Sequence, residues 1–145
     1  MKVEGSYMFN TDRETLWTAM LSPEVFSGCI PGCQQFQPTS DDSYDVELKV
    51  GVASITGTYA GRVTVVERNH PEHYRILIEG TGSGGSIKGS AQFAFTENDR
   101  TTEIRVVGDA QVTGMVARVG QRLMGSASRM LMNQFFACLK DKIEA

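Results

Sequence analysis

Tyr44-Asp45-Val46-Glu47-Leu48-Lys49-Val50 alternates apolar and charged side chains without a slip. Successive residues of a strand point to opposite faces of its sheet. This period therefore puts Tyr44, Val46, Leu48 and Val50 on one face and Asp45, Glu47 and Lys49 on the other. The same period runs on downstream. The apolar set continues as Ile55, Gly57, Tyr59, Gly61, Val63 and Val65, then as Tyr74, Ile76, Ile78 and Gly80. It resumes at Ile87, Gly89, Ala91, Phe93 and Phe95, and ends with Ile104, Val106, Gly108, Ala110 and Val112. The opposite face holds Arg62, Arg75, Glu79, Lys88, Glu103, Arg105 and Asp109. This is the pattern of an antiparallel sheet with one wet face. The dry face carries no side chain that is charged at neutral pH, so it needs a cover and offers general acid–base chemistry only tyrosines.

Working outward, Thr39-Ser40-Asp41-Asp42, Asn69-His70-Pro71-Glu72, Gly82 to Gly85 and Glu97 to Arg100 read as hairpin connections between strands from about Gln34 to Val112. A first strand covers about Lys2 to Phe9, with Val3, Gly5, Tyr7 and Phe9 on one face. Thr11 and Glu14 then match a capping box, and Leu16, Trp17, Met20 and Leu21 supply the stripe of a short helix. Ser22-Pro23-Glu24 starts a second short helix, which Pro31-Gly32 ends. The last element, from about Val116 to Ile143, keeps the helical period. Its main stripe is Val116, Val119, Leu123, Ala127, Met130, Leu131, Phe135 and Cys138. At about 1.5 Å per residue it is long enough to cross a small sheet and provide the cover. The expected class is α+β, a seven-stranded curved antiparallel sheet around a long C-terminal helix, with two short helices between strands one and two.

The chain has 145 residues. That suits a single domain over residues 1–145 with a sizeable core, and no linker or repeat interrupts it. A net charge of −3 gives no reason to expect nucleic acid. No signal peptide is evident near Lys2 and Glu4, and no run approaches the roughly 20 apolar residues of a membrane span. The reading is therefore cytoplasmic, with any membrane contact peripheral. Cys29, Cys33 and Cys138 are an odd set without a secretory signal, so reduced thiols with a structural role are expected. Cys29-Ile30-Pro31-Gly32-Cys33 spaces its cysteines too widely for a thioredoxin-type motif.

Two motifs dissolve in context. Gly80-Thr81-Gly82-Ser83-Gly84-Gly85 satisfies a dinucleotide fingerprint as a string, but a strand follows it where the fingerprint needs a helix. It reads as a hairpin, either a plain turn or a lid at a cavity mouth. His70 and His73 flank Pro71-Glu72 in a loop, without the further ligands of a metal site and away from any Ser-His-Asp arrangement. No cofactor, metal or catalytic residue is expected.

The order of one strand, two helices, six strands and a long helix resembles the helix-grip fold of the START and Bet v 1-like superfamily. Pro23-Glu24-Val25, Cys29-Ile30-Pro31-Gly32-Cys33, Gly57-Thr58-Tyr59-Ala60-Gly61, Glu79-Gly80-Thr81-Gly82, Val119-Gly120-Gln121-Arg122-Leu123 and Gln134-Phe135-Phe136 resemble the CoxG family, the G-subunits of carbon monoxide dehydrogenase. The superfamily implies a cavity for apolar ligands between sheet and helix. The family implies an accessory protein that brings a molybdenum-containing dehydrogenase to the membrane and handles quinone. Its members often carry a C-terminal extension that engages the membrane.

On this reading the ligand is a quinone or lipid, and the partner is carbon monoxide dehydrogenase or another molybdenum hydroxylase. Tyr7, Tyr44, Tyr59 and Tyr74 are candidates to orient the ligand's polar end, the alternative being hydroxyls bonded to backbone at the sheet rim. Leu48, Ile78, Phe93, Val106, Leu123, Ala127, Met130 and Leu131 are expected to line the cavity. The small inward residues Gly57, Gly61, Gly80, Gly89, Ala91, Gly108 and Ala110 either make room for it or let the helix pack closely. Met132, Phe136, Leu139 and Ile143 form a second apolar line on the long helix. They are candidates for a membrane or partner contact unless the start of the chain or another copy of it covers them. A small cyclase- or dehydratase-type enzyme and a pure docking module are the alternatives to a carrier.

Overall fold

The structure, a computed structural model, describes residues 2–40, 42–51, 56–114 and 121–144, and only the backbone of 121–124. Strand β1 (Lys2–Phe9) leads into two short helices, α1 (Arg13–Met20) and α2 (Pro23–Cys29). Then come β2 (Cys33–Pro38), β3 (Ser43–Val50), β4 (Gly57–Asn69), β5 (His73–Gly82), β6 (Gly85–Asn98) and β7 (Thr101–Thr113). Helix α3 (Gln121–Glu144) follows. The strands form one antiparallel sheet in the order β1-β7-β6-β5-β4-β3-β2, which brings the chain's first strand beside its last.

The register confirms the period-two reading strand by strand. Tyr44 pairs with Val63, Val63 with Ile78, Ile78 with Gly89 and Gly89 with Ala110, a row that stays on the inner face. On the outer face Asp45, Arg62, Glu79 and Lys88 are successive partners, so opposite charges alternate across four strands. The register shift in β4 falls between Val66 and Asn69, beyond the last inward residue, so it reverses no face. Gly82 pairs with Gly85 as a tight β5–β6 turn, with a strand on either side of the glycines.

Helix α1 is capped one residue later than the capping box suggests. The Asp12 carboxylate accepts from the Thr15 amide at 3.2 Å. Thr11 is held elsewhere, because its carbonyl accepts from the buried Thr102 hydroxyl at 2.9 Å, and Glu14 reaches the His70 ring at 2.9 Å. Helix α2 starts as read, with Ser22 as its cap and Pro23 in its first turn.

The packed core sits at the α1 end of the sheet. Phe9, Leu16, Met20, Ile104 and Leu139 are each at most 1% exposed. Trp17 meets the edges of Tyr74 and His70 at 5.2 and 5.1 Å. Burying a side chain such as Leu16 or Met20 contributes about 1.5–3 kcal/mol, so this end anchors the fold.

Three expectations are corrected here. The line Met132, Phe136, Leu139 and Ile143 is not a free surface: Phe136 and Leu139 are 3% and 0% exposed, and Met132 and Ile143 pack against the same core. The curved sheet reaches around α3, so β1 covers a second side of the helix. The Phe136 ring lies 4.1 Å from that of Tyr7. Conversely Met130, assigned to the inward stripe, is 41% exposed. The thiols differ from expectation too. Cys29 and Cys138 form a disulfide with Cα atoms 5.4 Å apart, and Cys33 is free. A cysteine count cannot see that α2 ends against α3 across 109 residues of sequence.

Candidate functional site

Beside that core, the inner face of the sheet borders two apolar clefts, the first against α2 and the second against both α2 and α3. The first, of about 240 Å³, is walled by Phe26 and Ile30 at the end of α2, by Phe36 of β2 and by inward residues of β3 to β6 that include Leu48, Tyr59, Ile78 and Ile87. Arg62 and Glu79 border it by position only. Both are exposed outer-face residues, and the Arg62 guanidinium donates to Asp45 at 3.3 Å. The second cleft, of about 300 Å³, is formed by Phe26, Ile30, Pro31, Leu48 and Val50 together with Phe93 and Val106 of the sheet and Leu131, Met132, Phe135 and Phe136 of α3.

Missing side chains shape the first cleft. Gly61 and Gly80 are cross-strand partners in its wall. A Cβ on Gly61 would stand 2.2 Å from the Glu79 carbonyl oxygen, so no larger residue fits the strand spacing there. The other use of a small residue, close helix packing, occurs at Gly5, where a Cβ would meet Met132 Cε at 2.9 Å.

The expected site residues fall into three groups. Leu48, Tyr59 and Ile78 wall the first cleft, and Leu48, Phe93, Val106 and Leu131 wall the second. Tyr7, Tyr44, Tyr74, Ala127 and Met130 stand elsewhere. The Tyr7 hydroxyl donates to Asn133 Oδ1 at 2.6 Å, and burial raises its pKa against the opposing pull of Arg129. Tyr74 is fully buried in the core, where desolvation pushes its pKa far upward, and its hydroxyl points to the Met20 carbonyl at 3.5 Å. The Tyr44 ring stacks on Phe36 at 4.9 Å. Ala127 is buried in α3, and Met130 borders a shallow groove on the helix's outer side. Leu123 lies outside the described side chains, as do Ile55, Val116 and Val119. Tyr59 is therefore the tyrosine whose ring reaches a cleft.

Sequence reading missed Phe26, Ile30 and Phe36 as wall residues. Phe36 carried a signal, since it is the β2 partner of inward Val46. Phe26 lies in the middle of a seven-residue helix and Ile30 caps its end, and so short a helix shows no clear period. Among the described residues no cluster of His, Cys, Asp and Glu is arranged to hold a metal ion, and His73 contacts its cross-strand partner Asn69 where β4 and β5 meet their turn.

The family model for CoxG, the G-subunit of carbon monoxide dehydrogenase, matches residues 5–144. The chain belongs to the CoxG family. Among solved structures, a conserved protein from Geobacillus kaustophilus superposes with a TM-score of 0.96 at 29% identity, covering 99% of this chain and 95% of that one. A START superfamily protein from Mycobacterium smegmatis gives 0.75 at 12% identity, covering 99% and 97%. The Zhui aromatase/cyclase from a Streptomyces species gives 0.74 at 11% identity, covering 99% and 93%. The last two likenesses establish the START/Bet v 1-like helix-grip fold for this CoxG member. No curated protein matches the chain. Among the described residues no helix is long and apolar enough to cross a membrane.

Proposed function

We propose that this CoxG-family chain is a non-catalytic accessory carrier that takes a quinone or lipid into the clefts on the inner face of the sheet. It would pass that molecule between a membrane surface, met peripherally on the cytoplasmic side, and a molybdenum hydroxylase such as carbon monoxide dehydrogenase. Residues 1–145 act as one ligand-binding domain on this reading. The observation that carries it is the apolar lining: aromatic and aliphatic side chains from α2, α3 and the inner face of the sheet, with Tyr59 as the polar group at hand. Pockets of that composition hold apolar molecules by burial, and a single hydroxyl orients the polar end.

A small enzyme of cyclase type is the rival reading, favoured by the likeness to an aromatase/cyclase. General acid–base work at a substrate needs a titratable group beside it. Among the described residues the charged side chains near the clefts, Arg62 and Glu79, sit on the exposed face. That arrangement supports the carrier. The test is to extract purified protein with organic solvent and run the extract on a mass spectrometer, then repeat after incubation with quinone-containing liposomes. A quinone or lipid recovered at near one per chain is the expected result. An empty extract in both runs overturns the carrier reading and leaves a docking module.

A further inference from the structure

The two clefts share one wall. Phe26, Ile30 and Leu48 border both, and Phe26 is the aromatic one of the three. Its ring stacks on Phe36, which lines only the first cleft, with centroids 5.2 Å apart and planes 4° from parallel. On its other side it stacks on Phe135, which lines only the second, at 5.4 Å and 26°. Phe26 is thus the middle plate of a three-ring stack running from one cleft into the next.

The backbone beneath that plate is held. The Ile30 amide donates to the Phe26 carbonyl at 2.9 Å, and the Cys29–Cys138 disulfide joins the last turn of α2 to α3. What remains free to move is the ring, which is only part-buried. The volumes give the motion a purpose. At about 240 and 300 Å³, each cleft stands at or below the lower end of the roughly 300–1,000 Å³ common for small-molecule sites.

We propose that Phe26 is a partition that sets ligand length. Stacked between Phe36 and Phe135, it confines a short apolar molecule to one lobe. Turned out of the stack, it joins the lobe lined by Ile87 to the lobe lined by Leu131 as one apolar channel that takes an elongated chain. This inference rests on the carrier reading and adds to it a residue that decides which apolar molecules fit.

Displacement of a fluorescent anilinonaphthalene probe by linear alcohols from hexanol to octadecanol tests it, with wild-type protein and the Phe26→Ala and Phe26→Leu variants. In wild type the gain in affinity per added methylene is expected to break at the length where the chain must pass the ring. In Phe26→Ala the break disappears. The longest alcohols then bind about tenfold tighter than to wild type, a gain worth one or two buried methylenes, while hexanol, which loses the ring as a wall, gains nothing. Phe26→Leu, which keeps most of the apolar volume, gives the same ordering with a smaller gain and serves if the alanine variant does not fold. An equal gain at every length, or no gain at any, overturns the partition and leaves the carrier standing. Failure of every alcohol to displace the probe from all three proteins overturns both.

Discussion

Tyr74 and Tyr7 show how one residue type on one face of a sheet divides by depth. Both were legible as inward, but only packing decided that Tyr74 would be swallowed by the Trp17 and Phe95 cluster and that Tyr7 would be tied to Asn133. Their burial has a consequence at high pH. A tyrosine whose pKa is raised in the folded state binds its proton more tightly there than in the unfolded chain. The resulting stability is fully present below the ordinary value of about 10 and is lost as pH rises through the raised one. The denaturation midpoint is expected to fall as pH climbs past about 10, and Tyr74→Phe should flatten that fall. Urea titrations from neutral to strongly alkaline pH, run on both proteins, check this. Equal slopes would mean that burial of Tyr74 is not what the titration reads.

Helix α3 was legible as a helix and as the cover of the sheet, yet the burial of its second apolar line was not. Periodicity says which residues share a stripe. How far a curved sheet reaches around the helix depends on strands distant in sequence, and here β1 closes over Phe136. Phe136→Ala is therefore expected to cost about 3–5 kcal/mol of stability as a core truncation. Met130→Ser, at an exposed position of the same helix, should change it by no more than about 0.5 kcal/mol. Chemical denaturation of the two variants separates the faces. The junction of α2 and α3 has its own test. Cys138→Ser opens a closure spanning 109 residues and is expected to cost about 2–4 kcal/mol. Thiol titration of native protein without reductant should find Cys33 alone, and slowly, because burial holds its pKa up. Three reactive thiols in freshly purified protein would show that the bridge is open.

Taken whole, the molecule keeps its tightest packing at the α1 end, and the second cleft opens against core residues Phe93, Val106 and Phe136, so a bound ligand is expected to add apolar contact to the core and raise stability. A quinone held at about one hundred times its dissociation constant should stabilise the fold by about 2.7 kcal/mol, seen as a higher unfolding temperature at rising quinone concentration. No shift at any soluble concentration would count against the clefts as its site. The local sequence determined the order of elements, the faces of β3 to β7 and the absence of charge on the inner face, because period two and the turn residues are properties of adjacent positions. Leu48, Tyr59, Ile78, Phe93 and Val106 were readable as inward residues for that reason, and Leu131 from the helical period of α3. Only the tertiary structure decided that Phe26 stands between Phe36 and Phe135, that Cys29 meets Cys138 and that Phe136 belongs to the core. The contacts of Phe26 with Phe135, of Cys29 with Cys138 and of Phe136 with β1 join segments far apart in the chain, and their meeting depends on how the whole sheet curves, which no local pattern encodes.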